Sequence, residues 1–179
     1  AQNRTGSMGE GITIADIESA WDIFHPDYFK PDAGYVTARD SNGDGVIADG
    51  DEVDLDGDGA FESKLSIFES GLEEGFQPDL DWLYIDENED GRRNYAGANV
   101  TELTPAFGEP IFIGDDINQD GLISGGEKLV RLGTSKVKAL YDGTTLYKRG
   151  ENLSRYPRDY IQENVDWNFM SHGTGAAGI

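Results

Sequence analysis

Cysteine is absent from these 179 residues, so neither a disulfide nor a thiolate metal site holds the chain together, and oxygen donors are left as the means of stapling its loops. No apolar run approaches the roughly 18 residues of a spanning helix, so no membrane span is expected. Basic residues are scarce. Fourteen Lys and Arg face 35 Asp and Glu, for a net charge of −21. That balance argues against nucleic acid as a partner, because polyanions repel. Apolar residues at 37% and aromatics at 11% can support a core, which argues against disorder and makes bound cations the reading of the surplus acid.

The acids are not scattered. Four segments repeat the pattern acid, any, acid or Asn, any, Asp, Gly: Asp40-Ser41-Asn42-Gly43-Asp44-Gly45, Asp54-Leu55-Asp56-Gly57-Asp58-Gly59, Asp86-Glu87-Asn88-Glu89-Asp90-Gly91 and Asp116-Ile117-Asn118-Gln119-Asp120-Gly121. Calcium takes six to eight hard oxygens at roughly 2.4 Å; alternate side chains of a tight loop converge on one point, and the glycine allows the sharp turn. In the fourth loop the carbonyl of Leu122 stands at position seven, Ser124 at nine and Glu127 at twelve, where a bidentate acid closes the site. The first loop has Val46 at seven and the shorter Asp51 at twelve. Position twelve falls on Leu65 in the second loop and on Gly97 in the third, so closure there has to come from Glu62, from neighbouring chain or from water. The expected order of occupancy is fourth, first, second, third. Residues 40 to 62 hold nine acids and no base, a crowding that is costly in a compact loop without a cation.

An EF-hand needs a helix on each side of every loop, and the short flanks Pro110 to Ile113 and Lys128 to Leu132 do not supply one. The loops are therefore expected on β-hairpins. Alternation of β-branched and aromatic residues predicts strands at Tyr35 to Ala38, Trp82 to Ile85, Pro110 to Ile113, Lys128 to Leu132, Val137 to Tyr141 and Thr145 to Lys148, with a short helix over Leu65 to Leu72. Arg92-Arg93 reads as an exposed basic pair and a nick site, and His25 as a structural turn histidine.

The two ends of the sequence have a different character. Gly9-Glu10-Gly11-Ile12-Thr13-Ile14-Ala15-Asp16-Ile17-Glu18 alternates toward an acid and is followed by His25-Pro26-Asp27, while His172-Gly173-Thr174-Gly175-Ala176-Ala177-Gly178 opens a small-residue run on a histidine. Together these motifs resemble the subtilisin-like serine proteases. The resemblance places Glu18 at the catalytic acid, where the family has aspartate, and His172 at the catalytic base, with Gly175 in place of the motif's second histidine. It implies an α/β fold: residues 1–27 as lead-in and first strand of a doubly wound parallel sheet, residues 28–165 as a β-rich calcium-binding insertion like that of pyrolysin, and residues 166–179 as the histidine segment.

The function implied is part of a secreted, extracellular endopeptidase that is stabilised by Ca²⁺ and acts on protein or peptide substrates. No Gly-Thr-Ser-x-Ala motif occurs. The nucleophilic serine is therefore expected on a missing C-terminal part, in the same chain or a second one, and the 179 residues alone are expected to be inactive. A calcium-binding structural or adhesion module and an inactive pseudoprotease are the alternatives.

Overall fold

The computed structural model describes residues 13–15, 22–68, 76–78, 81–95, 100–124 and 126–157. They form eight strands: β1 (Tyr35–Arg39), β2 (Glu52–Asp54), β3 (Ser63–Phe68), β4 (Trp82–Ile85), β5 (Ile111–Asp115), β6 (Lys128–Arg131), β7 (Ala139–Tyr141) and β8 (Leu146–Lys148). Strands β1 to β6 close into a barrel in chain order, every pair antiparallel, and β6 returns to β1 through Tyr35 opposite Val130 and Val36 opposite Leu129. Strands β7 and β8 make a separate hairpin, with Leu140 opposite Tyr147.

The α/β doubly wound expectation is overturned. Parallel neighbours need crossover connections of a dozen or more residues, usually helical. Here every pair of sequential strands in the barrel is antiparallel, and the described residues contain three short 3₁₀ turns but no α-helix to make a crossover. Most of residues 1–27 and all of 166–179, where the protease core was expected, lie outside the described residues.

Two clusters make the core, and the period of two along a strand separates them. One takes a side chain from every barrel strand (Val36, Val53, Leu65, Leu83 with Ile85, Phe112, Leu129) and adds Ile47 and Ile123 from the loops, so it fills the barrel. The other lies against the outer face of β4 and β5, where Tyr84 and Ile111 point away from the interior, and gathers Ile23, Phe24, Phe29, Tyr95, Phe107, Leu132, Leu153 and Tyr156. The hairpin's Leu140 and Tyr147 pack against this second cluster.

The helix expected at Leu65 to Leu72 is a strand where it is described. Leu65 and Ile67 turn to the barrel interior while Phe68 turns to the outer cluster, and Leu65 pairs with Ile85. Strand β2 was missed because its one apolar residue, Val53, sits between two acids. The basic pair is corrected as well: Arg92 is exposed, but Arg93 is 3% exposed and donates to the carbonyls of Glu109, Ala106 and Phe24.

Candidate calcium loops

All four acidic segments connect barrel strands: the first joins β1 to β2, the second β2 to β3, the third β4 to β5 and the fourth β5 to β6. Each loop has the same internal pattern. In the first, Asp40 accepts from the N–H groups of Gly43 (2.6 Å) and Gly45 (2.8 Å), Asn42 from Asp44 (2.8 Å), and Asp44 from Val46 (2.9 Å). In the second, Asp54 accepts from Gly57 and Gly59, Asp56 from Asp58, and Asp58 from Ala60. The third repeats this with Asp86 accepting from Asp90 and Gly91, Asn88 from Asp90, and Asp90 from Arg92. The fourth does so with Asp116 accepting from Asp120 and Gly121, Asn118 from Asp120, and Asp120 from Leu122. The side chains at positions one, three and five are thereby turned inward, as a Ca²⁺ ligand set requires. In the second loop, carboxylate oxygens of Asp54, Asp56 and Asp58 lie within 4.8 Å of one another. The glycine at position six has φ of +94° in Gly45, +91° in Gly59, +74° in Gly91 and +80° in Gly121, a backbone that a side chain rarely adopts.

A second pattern identifies the closing acid. In the fourth loop Glu127 accepts from the N–H groups of Ile117 (2.9 Å) and Ser124 (2.8 Å), at positions two and nine. Asp51 does the same in the first loop, with Ser41 (2.8 Å) and Ala48 (2.9 Å), and is 1% exposed. In the third loop positions two and nine are Glu87 and Asn94, and both donate to one carboxylate, that of Glu109, at 2.9 and 2.6 Å. Glu109 thus fills the closing role from just before β5, 23 residues after Asp86; the loop's own position twelve, Gly97, lies outside the described residues. Glu62 serves the second loop in part, accepting from Leu55 at position two (3.2 Å). Counting along the sequence finds Asp51 and Glu127 and suggests Glu62, whereas Glu109 carries no local signal.

The electrostatics differ between these acids. Backbone N–H donation, led by Ser124, holds Glu127 below the usual carboxylate range, and that from Gly45 and Gly43 does the same for Asp40. The amide of Asn94 lowers Asp90. Burial pushes Glu109 up, against the two backbone donors that favour its charge and with Asp86 and Glu87 adding repulsion. A cation in the third loop would reverse that balance. The donor set is oxygen throughout, with carboxylates at positions one and five of every loop, the chemistry of a hard-cation site.

The loops also meet. Ile47 and Ile123, at position eight of the first and fourth loops, are joined by a hydrogen bond from Ile47 N–H to Ile123 C=O (2.6 Å), and Val46 bridges Ser124. Position eight of the third loop is Arg93, whose guanidinium lies 5.3 Å from the centre of the Tyr95 ring.

Of the residues expected to carry peptidase chemistry, Glu18 and His172 both lie outside the described residues. His25 is described: it caps a 3₁₀ turn, Pro26–Tyr28, by accepting from Asp27 N–H, and its ring sits edge-on to Trp82 at 5.2 Å. No helix among the described residues is long and apolar enough to cross a membrane. No family model matches the chain, and no curated protein or solved structure matches it either.

Proposed function

We propose that this chain is the calcium-stapled part of a secreted serine endopeptidase resembling the subtilisin-like family, with the barrel carried between the catalytic acid, Glu18, and the catalytic histidine, His172. The observation that carries this reading is where the barrel's two ends lie. Ile23 and Phe24, on the way in, and Leu153 and Tyr156, on the way out, are buried in one cluster. A domain inserted into another must bring its two ends together, and this one does.

In this reading His172 takes the proton of a serine supplied by the rest of the parent and returns it to the leaving amine, while Glu18 orients the imidazole and stabilises its charge. Ca²⁺ would be held by Asp40, Asn42, Asp44, the Val46 carbonyl and Asp51; by Asp54, Asp56, Asp58 and Glu62; by Asp86, Asn88, Asp90 and Glu109; and by Asp116, Asn118, Asp120, the Leu122 carbonyl and Glu127. Its contribution is neutralisation of the crowded carboxylates, so that the loops hold the barrel strands in register.

The test is labelling of the full-length parent with a serine-directed fluorophosphonate, with and without a calcium chelator, in the wild type and in His172→Ala. Labelling that requires both His172 and calcium supports the reading. A folded, calcium-loaded parent that does not label sinks the peptidase half.

A second reading is a calcium-dependent structural module. The closed barrel, with an interior cluster drawn from all six strands, favours it, because such a unit has its own core. It expects no loss of function on replacing Glu18 or His172.

A further inference from the structure

The fourth position is left-handed in all four acidic loops: Gly43 and Gly57 have φ of +80°, and Glu89 and Gln119 hold the same turn at +58° and +60°. The consequence for the preceding residue differs from loop to loop. Asn42 precedes Gly43, the one Asn-Gly step in the 179 residues, whereas Asn88 precedes Glu89 and Asn118 precedes Gln119. An asparagine followed by glycine is chemically labile, because no β-carbon keeps the next backbone nitrogen away from the carbonyl carbon of the side chain. Asn42 and Gly43 are both exposed, so water reaches them.

The closed loop engages the reacting atoms elsewhere. The Gly43 N–H is committed to the Asp40 carboxylate at 2.6 Å. The Asn42 amide is held at both ends by one residue: its oxygen accepts from the Asp44 N–H at 2.8 Å and its nitrogen donates to the Asp44 carboxylate at 2.8 Å. For the Gly43 nitrogen to reach Asn42 Cγ, the first bond has to break and the amide has to turn out of the other two. Asn118 is a matched control inside the same molecule. Its amide makes the same two bonds, to the Asp120 N–H at 2.8 Å and the Asp120 carboxylate at 2.9 Å, but a side chain follows it.

We propose that Asn42-Gly43 is a self-modification site, a deamidation step that the first loop holds off while it is closed. Once the loop opens, the Gly43 nitrogen attacks Asn42 Cγ. A new N–C bond closes a cyclic imide, the Cγ–Nδ2 bond breaks, and the amide leaves as ammonia with the proton of the Gly43 N–H. Water then opens the ring at either carbonyl. One product is aspartate, which position three tolerates, since Asp56 stands there in the second loop and accepts from the Asp58 N–H. The other is isoaspartate, in which the chain runs through the side-chain carbonyl and gains one backbone atom, so the spacing that turns residues 40, 42 and 44 inward is lost. The bond from Ile47 to Ile123 carries that damage to the fourth loop.

The modification site goes beyond the peptidase reading; that a cation keeps the loop shut rests on the calcium reading. At free calcium roughly a hundred times the dissociation constant, an occupied loop opens about a hundredfold less often, and the reaction slows with it. A chain stripped of calcium therefore marks itself covalently.

The test incubates the full 179-residue chain in mildly alkaline buffer with calcium, with a chelator, and unfolded in urea. Peptide mapping follows Asn42, Asn88 and Asn118 for the mass gain of amide turning to acid. Asn42 is expected to react at least tenfold faster than Asn118 in chelator and in urea, and at least tenfold more slowly with calcium than with chelator. Gly43→Gln copies the Asn118-Gln119 step into a place where a β-carbon meets open space, and should bring Asn42 to the rate of Asn118. Equal rates at Asn42 and Asn118 in chelator overturn the proposal, as does a folded, calcium-loaded chain that reacts at Asn42 as fast as the unfolded one. The calcium reading fails separately: if calorimetry shows no calcium bound while the folded chain still reacts more slowly than the unfolded one, the closed loop protects Asn42 without a cation.

Discussion

The backbone N–H of Ile47 meets the carbonyl of Ile123 at 2.6 Å, tying the eighth positions of the first and fourth acidic loops to each other inside the barrel's mouth. Both side chains are buried, Ile47 at 6% exposure and Ile123 at 1%. The δ-carbon of Ile123 reaches so close to Gly114 that a β-carbon there would lie 2.1 Å from it. Two loops that are far apart in sequence are thus one mechanical unit.

Ile123→Ala therefore has two consequences. Removal of a fully buried side chain costs about 2 to 5 kcal/mol, read by urea denaturation. Calcium affinity should fall in the first and fourth loops together while the second and third are unaffected, which site-resolved NMR titration measures. Loss confined to the fourth loop would show that the Ile47–Ile123 link does not couple the two.

The acidic loops and several strands were legible beforehand, whereas the closed barrel was not, and the failures are informative. The four loops were readable because each repeats acids and a glycine at one short spacing, and Trp82 to Ile85 was readable as a short aromatic and aliphatic run bounded by Asp, which the fold buries on both faces. Strand β2 was not, since Glu52-Val53-Asp54 contributes a single apolar side chain and takes its place from neighbours on both sides. Leu65, Phe68 and Leu72 fit a helical period as well as a strand, and only pairing with β4 decides between them. Glu109 and Arg93 act across sequence separations that no local pattern reports. The doubly wound sheet was inferred from resemblance at the two ends of the chain, while the barrel between them follows from antiparallel pairing.

Glu109→Gln tests the remote closure of the third loop. The amide keeps one acceptor but sets a donor against the N–H of Glu87 or Asn94 and removes the charge. One bound Ca²⁺ should disappear from the stoichiometry measured by calorimetry, or its affinity should fall at least about tenfold, an effect of ~1.4 kcal/mol. Glu127→Gln should remove a different ion, and the double variant both, since no bond links the two carboxylates.

Removal of calcium should destabilise the barrel by mass action. At a free concentration a hundred times the dissociation constant, each independent site contributes about 2.7 kcal/mol that a chelator abolishes. The expected result is a large drop in thermal midpoint with chelator, restored by Ca²⁺ and only weakly by Mg²⁺, whose octahedral preference these long loops do not meet. Equal rescue by both ions would argue against ligand cages and for simple screening.

His25 should impose a pH dependence near neutrality. Burial lowers its pKa, and the nearby Asp27 and Asp22 only partly offset this. A depressed folded-state value means that the unfolded chain binds the proton more readily, so the associated stability is present above the unfolded value of about 6.5 and is lost as pH falls from there toward the folded value. The geometry gives the reason: Nδ1 accepts the Asp27 N–H at 3.3 Å, and a proton on Nδ1 removes that cap. Stability measured by urea from pH 8 to 5 should decline in the wild type, and the part of the slope just below pH 6.5 should vanish in His25→Gln.

Arg93 holds three chain segments at once. Its guanidinium donates to the carbonyls of Ala106 (2.9 Å), Glu109 (3.1 and 3.2 Å) and Phe24 (3.5 Å) and lies beside Tyr95, whose ring stacks on Phe24 at 5.0 Å. Ala106 and the next residue, Phe107, are both left-handed, with φ of +50° and +58°, a conformation that non-glycine residues keep only under constraint from their surroundings. Arg93→Met keeps the volume but leaves buried carbonyls without these donors, at a cost of roughly 3 kcal/mol or more from the usual 1 to 3 kcal/mol per orphaned group. Arg93→Lys should recover only part of it, because one ammonium lacks the planar spread of donors that reaches all three carbonyls. Amide exchange should then show Phe24, Phe107 and the third loop loosening together, while the first and fourth loops, joined through Ile47 and Ile123, retain their protection. Uniform loosening of all four loops would mean that Arg93 serves global stability and does not link the chain's entry to the third loop.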